Sequence, residues 1–285
     1  MVKDLSIIIV SWNVREYLEA NLTRLFSMPC KYTREVFVVD NGSSDGSAVM
    51  VRERFPQVRL IQNDWDAGFA YPNNQAMRIA DGRVIVLLNP DMLVGENVLD
   101  RTYETLMNDR SIGVLGVCLN DAEGRALKTI RRYPTFGSQL AILLKLQHFF
   151  PKLMSWYEWW DFDYTRSRDV DQVRGSYFAF RRDTMDTVGM LDSDYHIWFE
   201  EVDYCRRVRA KGMRVFYLAN VACEDKVGRG VSKMKRAETQ AIFTASMAHY
   251  FRKWHPWWQY AVISVLRPFA IFAARIADLV GYKTK

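Results

Sequence analysis

The sequence predicts an α/β fold built on a mainly parallel, doubly wound sheet, and three observations predict it. Short runs rich in Val, Ile and Leu recur between segments of helical spacing, which is the alternation of parallel strands with crossover helices. The run at 83–88, Arg-Val-Ile-Val-Leu-Leu, is apolar at every position after the first, as a strand covered on both faces must be. The chain has 285 residues, 49% of them apolar, enough to bury one sizeable core or one core plus an appendage.

Each element follows in order. Residues 5–10 read as a strand, 14–26 carry Val14, Tyr17, Leu18, Leu22, Leu25 and Phe26 at helical spacing, and 35–39 form a second strand. A helix is predicted over 47–54, a strand over 58–62, a helix over 73–80 and a strand ending at Asn89. Right-handed crossovers then place the loops 11–13, 40–45, 63–74 and 89–91 on one edge of the sheet. Farther on, 140–150 reads as a helix, 172–181 as a strand and 200–211 as a helix following the aromatic run 195–199. From residue 237 the composition turns aromatic and apolar with spaced cations, which divides the chain into a catalytic domain, 1–236, and a helical extension, 237–285.

Charge and cysteine content narrow the function. The net charge is +6, and cations gather late, as Arg206, Arg207, Arg209, Lys211 and Arg214, then Lys226, Arg229, Lys233, Lys235 and Arg236. Such patches attract nucleic acid, anionic lipid or phosphorylated ligands. No helix-turn-helix, RRM-like or zinc-finger pattern accompanies them, so nucleic acid is the weakest of the three. Cys30, Cys118, Cys205 and Cys223 show no C-x-x-C spacing, which argues against a zinc cluster or a disulfide framework and suits a reducing compartment. The amino terminus reads as a first strand rather than a signal peptide, so the catalytic part is expected to be cytosolic.

Four stretches carry chemistry. Asn89-Pro90-Asp91 puts a carboxylate at the end of a buried strand, where open α/β sheets bind ligands, and an Asp there suits a hard cation gripping a diphosphate, although Asn-Pro-Asp is also ordinary turn chemistry. Asp40-Asn41-Gly42-Ser43-Ser44-Asp45 offers more acceptors than a turn needs; a carboxylate there suits the N3–H of a uracil or thymine ring, and Ser44 or Asp45 suits a helix cap. The loop from Asn63 through Gly68-Phe69-Ala70 to Asn73-Asn74 combines a permissive glycine with amides that donate and accept. Glu200-Glu201-Val202-Asp203 begins a helix, where first-turn acids are ordinary, yet beside Trp198 and Phe199 one of the three acids can be desolvated into a general base; spacing leaves open which one. Neither G-x-G-x-x-G nor a P-loop follows the first strand, which disfavours a redox dinucleotide.

In this order, together with Val10-Ser11-Trp12-Asn13, Arg131-Arg132-Tyr133-Pro134-Thr135 and Gly175-Ser176, the motifs resemble those of family 2 glycosyltransferases of the GT-A fold, and within them bacterial rhamnosyltransferases, over roughly residues 4–235. The resemblance implies an inverting transfer from a nucleotide-activated sugar, dTDP-L-rhamnose or a UDP-hexose, onto a polyprenyl-linked or saccharide acceptor in surface-polysaccharide assembly. It implies that Asp40 reads the base, that Asp91 is the ligand to Mg2+ or Mn2+ in an element where Asn89 replaces the usual first Asp, and that Glu201 falls on the catalytic position. Ser11, Asn13, Asn41, Ser43, Asp45, Asn63, Gly68, Phe69, Asn73, Asn74, Asn89, Arg131, Arg132 and Gly175 are carried over as nucleotide-sugar contacts, the two arginines facing donor or acceptor phosphates. Two departures stand out: Glu-Glu replaces the usual Glu-Asp, and Cys223-Glu224-Asp225-Lys226-Val227-Gly228 lacks the histidine ligand common in relatives, leaving Glu224 or Asp225 to substitute, or Asp91 and the phosphates alone to hold the metal. A nucleotidyltransferase is the rival from another class, but it needs a glycine-rich basic loop where Ser11-Trp12-Asn13-Val14 stands. A catalytically silent nucleotide-sugar-binding protein is the third reading, resting on the two departures.

Residues 261–280 are long and apolar enough to suggest a membrane span, but Arg267, Arg275 and Asp278 fall on one side of the helix, which favours a helix lying in the headgroup plane. Trp254, Trp257 and Trp258 suit that interface, and the aromatic run 149–164 suits a lipid-linked acceptor at the cytoplasmic face of a bacterial inner membrane. The other occupants expected for the helix are the catalytic core or a second copy of the chain in a homodimer.

Overall fold

A computed structural model describes residues 2–226 and 234–279 of the chain. Val227, Gly228, Arg229, Lys233 and Val280, which figured in the expectations above, lie outside the described residues. The elements run β1 (Leu5–Ser11), α1 (Arg15–Ser27), β2 (Arg34–Asn41), α2 (Ser47–Arg54), β3 (Arg59–Asn63), α3 (Ala70–Ile79), β4 (Val84–Leu88), β5 (Met92–Val94), α4 (Val98–Asn108) and β6 (Ile112–Asn120). They continue through α5 (Phe136–Leu143), β7 (Arg168–Asp169), β8 (Tyr177–Arg181), α6 (Arg182–Val188), α7 (Glu200–Ala210), β9 (Arg214–Asp225), α8 (Arg236–Trp254) and α9 (Trp257–Leu279).

The sheet order is β3-β2-β1-β4-β8-β6-β9-β5, with β7 added beside β9. β1 to β4 are parallel, as the alternating pattern requires. Beyond β4 the sheet is mixed: β8 runs antiparallel to both β4 and β6, and β5 runs antiparallel to β9. The expected parallel arrangement thus holds through β1–β4 and recurs where β6 pairs with β9, with antiparallel β8, β5 and β7 set around that second pair. Period-two alternation covers both faces: Ile7 and Ile9 pack with Leu18, Leu22 and Leu106, while Ile8 packs with Met77, Phe178 and Tyr204 on the other side. Each such fully buried side chain contributes about 1.5–3 kcal/mol of transfer free energy, so both faces are firmly held.

Several local readings change. The helix expected over 140–150 is α5, which ends at Leu143 because Lys145 takes a left-handed backbone (φ 59°); two 3-10 turns, Leu146–His148 and Pro151–Met154, follow. The strand expected over 172–181 begins only at Tyr177, since Arg174 to Ser176 form a loop at the sheet edge. β6 is a nine-residue strand with glycines inside it: a Cβ on Gly116 would stand 2.6 Å from Val173 Cβ, so the residue that weakens the strand signal is there for close packing.

α8 and α9 form a helical hairpin that shares a core with the segment before α7. Met247, Ala248, Tyr250, Phe251 and Ile263 pack on Tyr195, Phe199 and Val202. The apolar side of α9 expected to be buried in lipid faces outward here. Trp258, Val262, Val265, Phe269, Phe272, Ile276 and Leu279 are exposed at alternating spacings of four and three residues, whereas Arg267 and Asp278 bond to Thr244 and to the Ala237 amide of α8. By length and composition α9 is apolar enough to cross a membrane, with a mean hydropathy of 1.5 over its most apolar stretch.

Candidate active site

The carboxyl ends of β1, β2 and β4 open on one cavity of about 210 Å³ that is closed on its far side by the start of α7. Of the residues singled out from sequence, Asn41, Gly68, Phe69, Asn89, Asp91, Gly175, Glu200, Glu201 and Asp225 line it. The Asn89-Pro90-Asp91 turn is fastened from two sides: Asn89 N donates to Ser176 O at 3.0 Å, and Asn21 Nδ2 of α1 donates to Asn89 O at 3.0 Å and Met92 O at 2.7 Å. Buried Asn21 was not anticipated, because a lone Asn on the apolar face of a helix carries no motif. Asp91 is 7% exposed, and Asp225 is 4% exposed at the register position opposite Met92.

The loop before α3 is shaped by one glycine. Gly68 adopts φ +75°, and a Cβ there would stand 2.1 Å from His196 O, the atom that accepts from Phe69 N. This docks the 66–69 loop onto the segment leading to α7. Asn41 Nδ2 donates to Gly68 O at 2.8 Å, and Asp66 Oδ1 accepts from Gly68 N at 3.0 Å. Burial pushes the Asp66 carboxyl up, but His196, the Gly68 amide and Asn41 outweigh it and hold the group below its usual range.

Several expected contacts turn out to build the rim rather than line the cavity. Asn13 Oδ1 accepts from Ser44 N, and Ser43 Oγ accepts from Asn13 N, lacing the first two loops together. Asp45 accepts from Ser47 N and Oγ and from Arg15 N, so it starts two helices. Asn63 exchanges hydrogen bonds with Gln75 and donates to Asn41. Asn73 Nδ2 donates to Phe69 O, and Asn74 is bonded to Leu191 and Ser193. Amides suit these jobs because each can donate and accept within one loop. Asp40 and Ser11 differ from this group. They are register partners at the strand ends, and Asp40 Oδ1 and Ser11 Oγ are buried without hydrogen-bond partners, while Asp40 Oδ2 accepts from Ser43 N at 3.1 Å. The two arginines also part company: Arg132 stacks 4.2 Å from the Trp159 ring centroid and 5.2 Å from that of Trp156, and Arg131 lines a second cavity.

At the start of α7 the backbone is strained. Trp198 (φ 69°) and Phe199 (φ 71°) are both left-handed, at a cost of roughly 1–2 kcal/mol each for bulky side chains. That turn aims Glu200 and Glu201 at the cavity, and each has an Oε2 buried without a partner among the described residues. Burial, then the charge of Glu201, pushes the Glu200 carboxyl far up; burial also raises Glu201, opposed by helix amides and by Arg174 and Arg131. Both carboxyls are thus raised together, and the two titrate as a pair.

Asp203, the third candidate base, is a correction. It is fully buried, its Oδ1 accepts from Trp254 Nε1 at 2.7 Å and pairs with Lys253 Nζ at 2.9 Å, and its Oδ2 accepts from Arg207 Nε at 2.8 Å. With both oxygens bonded to side chains of α7 and α8 it fastens the helical hairpin, and it is not among the residues that line the cavity.

Asp91 and Asp225 fit a divalent cation: two buried carboxylates meet on one cavity, an all-oxygen donor set suited to a hard ion. Glu224 lies on the same strand at the register position opposite Leu93, outside that lining. Arg174 comes within 3.8 Å of Asp225 and reaches both cavities; it was not anticipated, although it directly precedes Gly175-Ser176. Elsewhere, Asp192, Asp194 and His249 bring ligand atoms within 4.8 Å of one another, but Asp192 is held by Lys253 Nζ at 2.8 Å and His249 Nε2 at 3.1 Å.

The chain is similar to known proteins in sequence and in fold. The profile of Glycosyl transferase family 2 matches residues 6–168. The N-acetylglucosaminyl-diphospho-decaprenol L-rhamnosyltransferase of Mycobacterium tuberculosis is 24% identical over 237 residues, covering 76% of this chain and 74% of that protein. A mannosyltransferase from Pyrobaculum calidifontis, solved with GDP-Man and Mn2+, superposes with a TM-score of 0.60 at 18% identity, over 100% of this chain and 77% of its own. GalNAc-T7, solved with UDP, GalNAc and Mn2+, gives 0.61 at 16% identity, over 80% of this chain and 44% of its own. These neighbours have the GT-A fold.

Proposed function

The chain belongs to glycosyl transferase family 2 and is a glycosyltransferase of glycan biosynthesis, and from that premise we propose an inverting, metal-dependent transfer of L-rhamnose from dTDP-L-rhamnose to a lipid-linked saccharide. The observation that carries the reading is the buried Glu200–Glu201 pair, with free carboxylate oxygens on the same cavity as Asp91 and Asp225. The similarity to a rhamnosyltransferase acting on a diphospho-decaprenol acceptor supports the sugar and the acceptor class.

In this reading Glu201 removes the proton of an acceptor hydroxyl, and the oxygen attacks the anomeric carbon opposite the departing nucleoside diphosphate, inverting its configuration. Glu200, whose carboxyl burial and the Glu201 charge push up, lies beside it and limits the negative charge facing the reacting oxygen. The buried Oδ1 of Asp40 accepts the N3–H of the thymine ring. Asp91 and Asp225 hold Mg2+ or Mn2+, which when bound supplies positive charge to the diphosphate oxygens. Residues 1–236 form the catalytic domain, and the outward stripe of α9 rests on the cytoplasmic face of a bacterial membrane with its Trp257-Trp258 end at the headgroups.

Thermal stabilisation by dTDP-, UDP- and GDP-sugars, each with Mn2+ or Mg2+, tests the donor. The expected result is the largest shift with dTDP-L-rhamnose and loss of its metal-dependent part in Asp91→Ala; a larger shift with a UDP-hexose would move the assignment to that donor. Flotation with anionic vesicles tests the surface: wild type is expected to float and Phe269→Asp/Phe272→Asp to stay behind, and equal flotation would remove α9 from the interface.

A further inference from the structure

A second cavity of about 420 Å³ lies beyond Glu201, and it shares Glu201, Arg174 and Trp198 with the first. Its charged lining is one-sided: Lys128, Arg131 and Arg174 face it, and among the described residues the sole carboxylate in the lining is Glu201. Among the described residues no carboxylate lies within ion-pair distance of Lys128 or Arg131, whereas nearby Arg125 pairs with both Asp121 and Glu123. Arg131 is nonetheless held in place, with its guanidinium 5.6 Å from the Tyr157 ring centroid and its backbone bridged to Gln172. Gln240 Nε2, a buried donor without a partner among the described residues, faces the same space. Three cations and an unused donor around a cavity beside the proposed base form an anion site.

The cavity has an apolar exit. Tyr157 and Ile142 in its wall pack with Ala141, Met154 and Leu146, and that cluster leads to the exposed side chains of Phe149 (77% exposed), Phe150 (60%) and Leu153 (54%). Exposed apolar groups in such a run mark a surface that meets hydrocarbon. The order along the molecule is therefore proposed base, cations, apolar surface.

We infer that the second cavity seats the phosphate or diphosphate of the acceptor, gripped by Lys128, Arg131 and Arg174, with the acceptor's hydrocarbon leaving over Tyr157 and Ile142; this rests on Glu201 being the base. The acceptor's sugar then sits between the cavities with its hydroxyl at Glu201, and the donor's diphosphate stays with Asp91 and Asp225 in the first. Arg174, reaching both cavities, is where the two diphosphates meet.

Farnesyl diphosphate is the probe, titrated onto the full chain with Mn2+ and saturating dTDP filling the first cavity. It is expected to bind alongside the nucleotide, and Lys128→Gln and Arg131→Gln are each expected to weaken it about tenfold or more while dTDP affinity stays unchanged. Farnesol and inorganic pyrophosphate, each tested alone, are expected to bind more weakly than farnesyl diphosphate. Displacement of the probe by dTDP, equal binding in the variants, or farnesol binding as tightly would overturn the anion site; pyrophosphate binding as tightly would overturn the hydrocarbon exit. Transfer retained in Glu201→Gln would instead remove the base assignment and leave these binding results standing, so the two failures are told apart.

Discussion

The first turn of α7 treats its acids in two opposite ways. Asp203 is fully buried and saturated, with Arg207, Lys253 and Trp254 on its two oxygens. Glu200 and Glu201 are set on a strained turn, raised by burial, and each keeps an oxygen without a partner. The difference teaches where chemistry resides in this molecule: acids whose hydrogen-bonding capacity is spent inside the protein hold it together, and those whose capacity is left over can serve a substrate.

Isosteric substitutions break the contrast most directly. Asp203→Asn keeps the shape but leaves Arg207 and Lys253 facing a neutral amide, and the loss of a buried charge partner costs about 3–5 kcal/mol. Chemical denaturation is expected to show that loss, and an unchanged midpoint would mean the hairpin is fastened by its apolar contacts alone. Glu201→Gln removes a charge that nothing fully balances, so stability is expected to hold or rise while transfer falls about a thousandfold. Near-normal transfer in that variant would shift the base to Glu200. A pH profile sharpens the point: because burial raises the pair, the acid limb of wild-type transfer is expected above the ordinary glutamate value of 4.5, with activity falling as pH falls through it. A limb at or below that value would mean the pair is not desolvated during turnover.

The same distinction explains what the sequence could disclose. The parallel strands β1–β4 and the meeting of Asn41, Gly68, Asn89 and Asp91 at one rim followed from strand periodicity and crossover handedness, which are local rules, whereas Glu201 was placed there only by the family resemblance. Asn13, Asp45, Asn63 and Asn74 were carried over as ligand contacts from the family resemblance, and the hydrogen bonds they make inside the protein could not be read from sequence, which reports polar capacity without reporting where it is spent. Asp203 shows this most clearly. Its partners Lys253 and Trp254 lie about fifty residues away, and nothing in Glu-Glu-Val-Asp separates a clamp from a base. β6 and the antiparallel pairing of β8 escaped for a related reason: Gly113 and Gly116 weaken a strand signal, and direction within a sheet is a tertiary property.

The smallest effect tests the saturated side by acid. Asp192 anchors α8 through Lys253 and His249; burial pushes its carboxyl up, but those partners outweigh it and bring the group down to about 2 from an ordinary 3.8. A carboxyl lowered by folding contributes stability that is present above the unfolded value and lost as pH falls through the folded one. The contribution is thus whole above pH 3.8, fades toward about 2, and amounts to about 2 kcal/mol at most. The raised Glu200–Glu201 pair has the opposite sign, its contribution being present below 4.5 and lost as pH rises through the folded values. Asp192→Asn is therefore expected to lower stability by about 1–2 kcal/mol at neutral pH and to converge on wild type near pH 2, in urea melts across that range. Parallel curves with a constant offset would mean that Asp192 acts by packing, and that the acids of the hairpin side owe nothing to pairing.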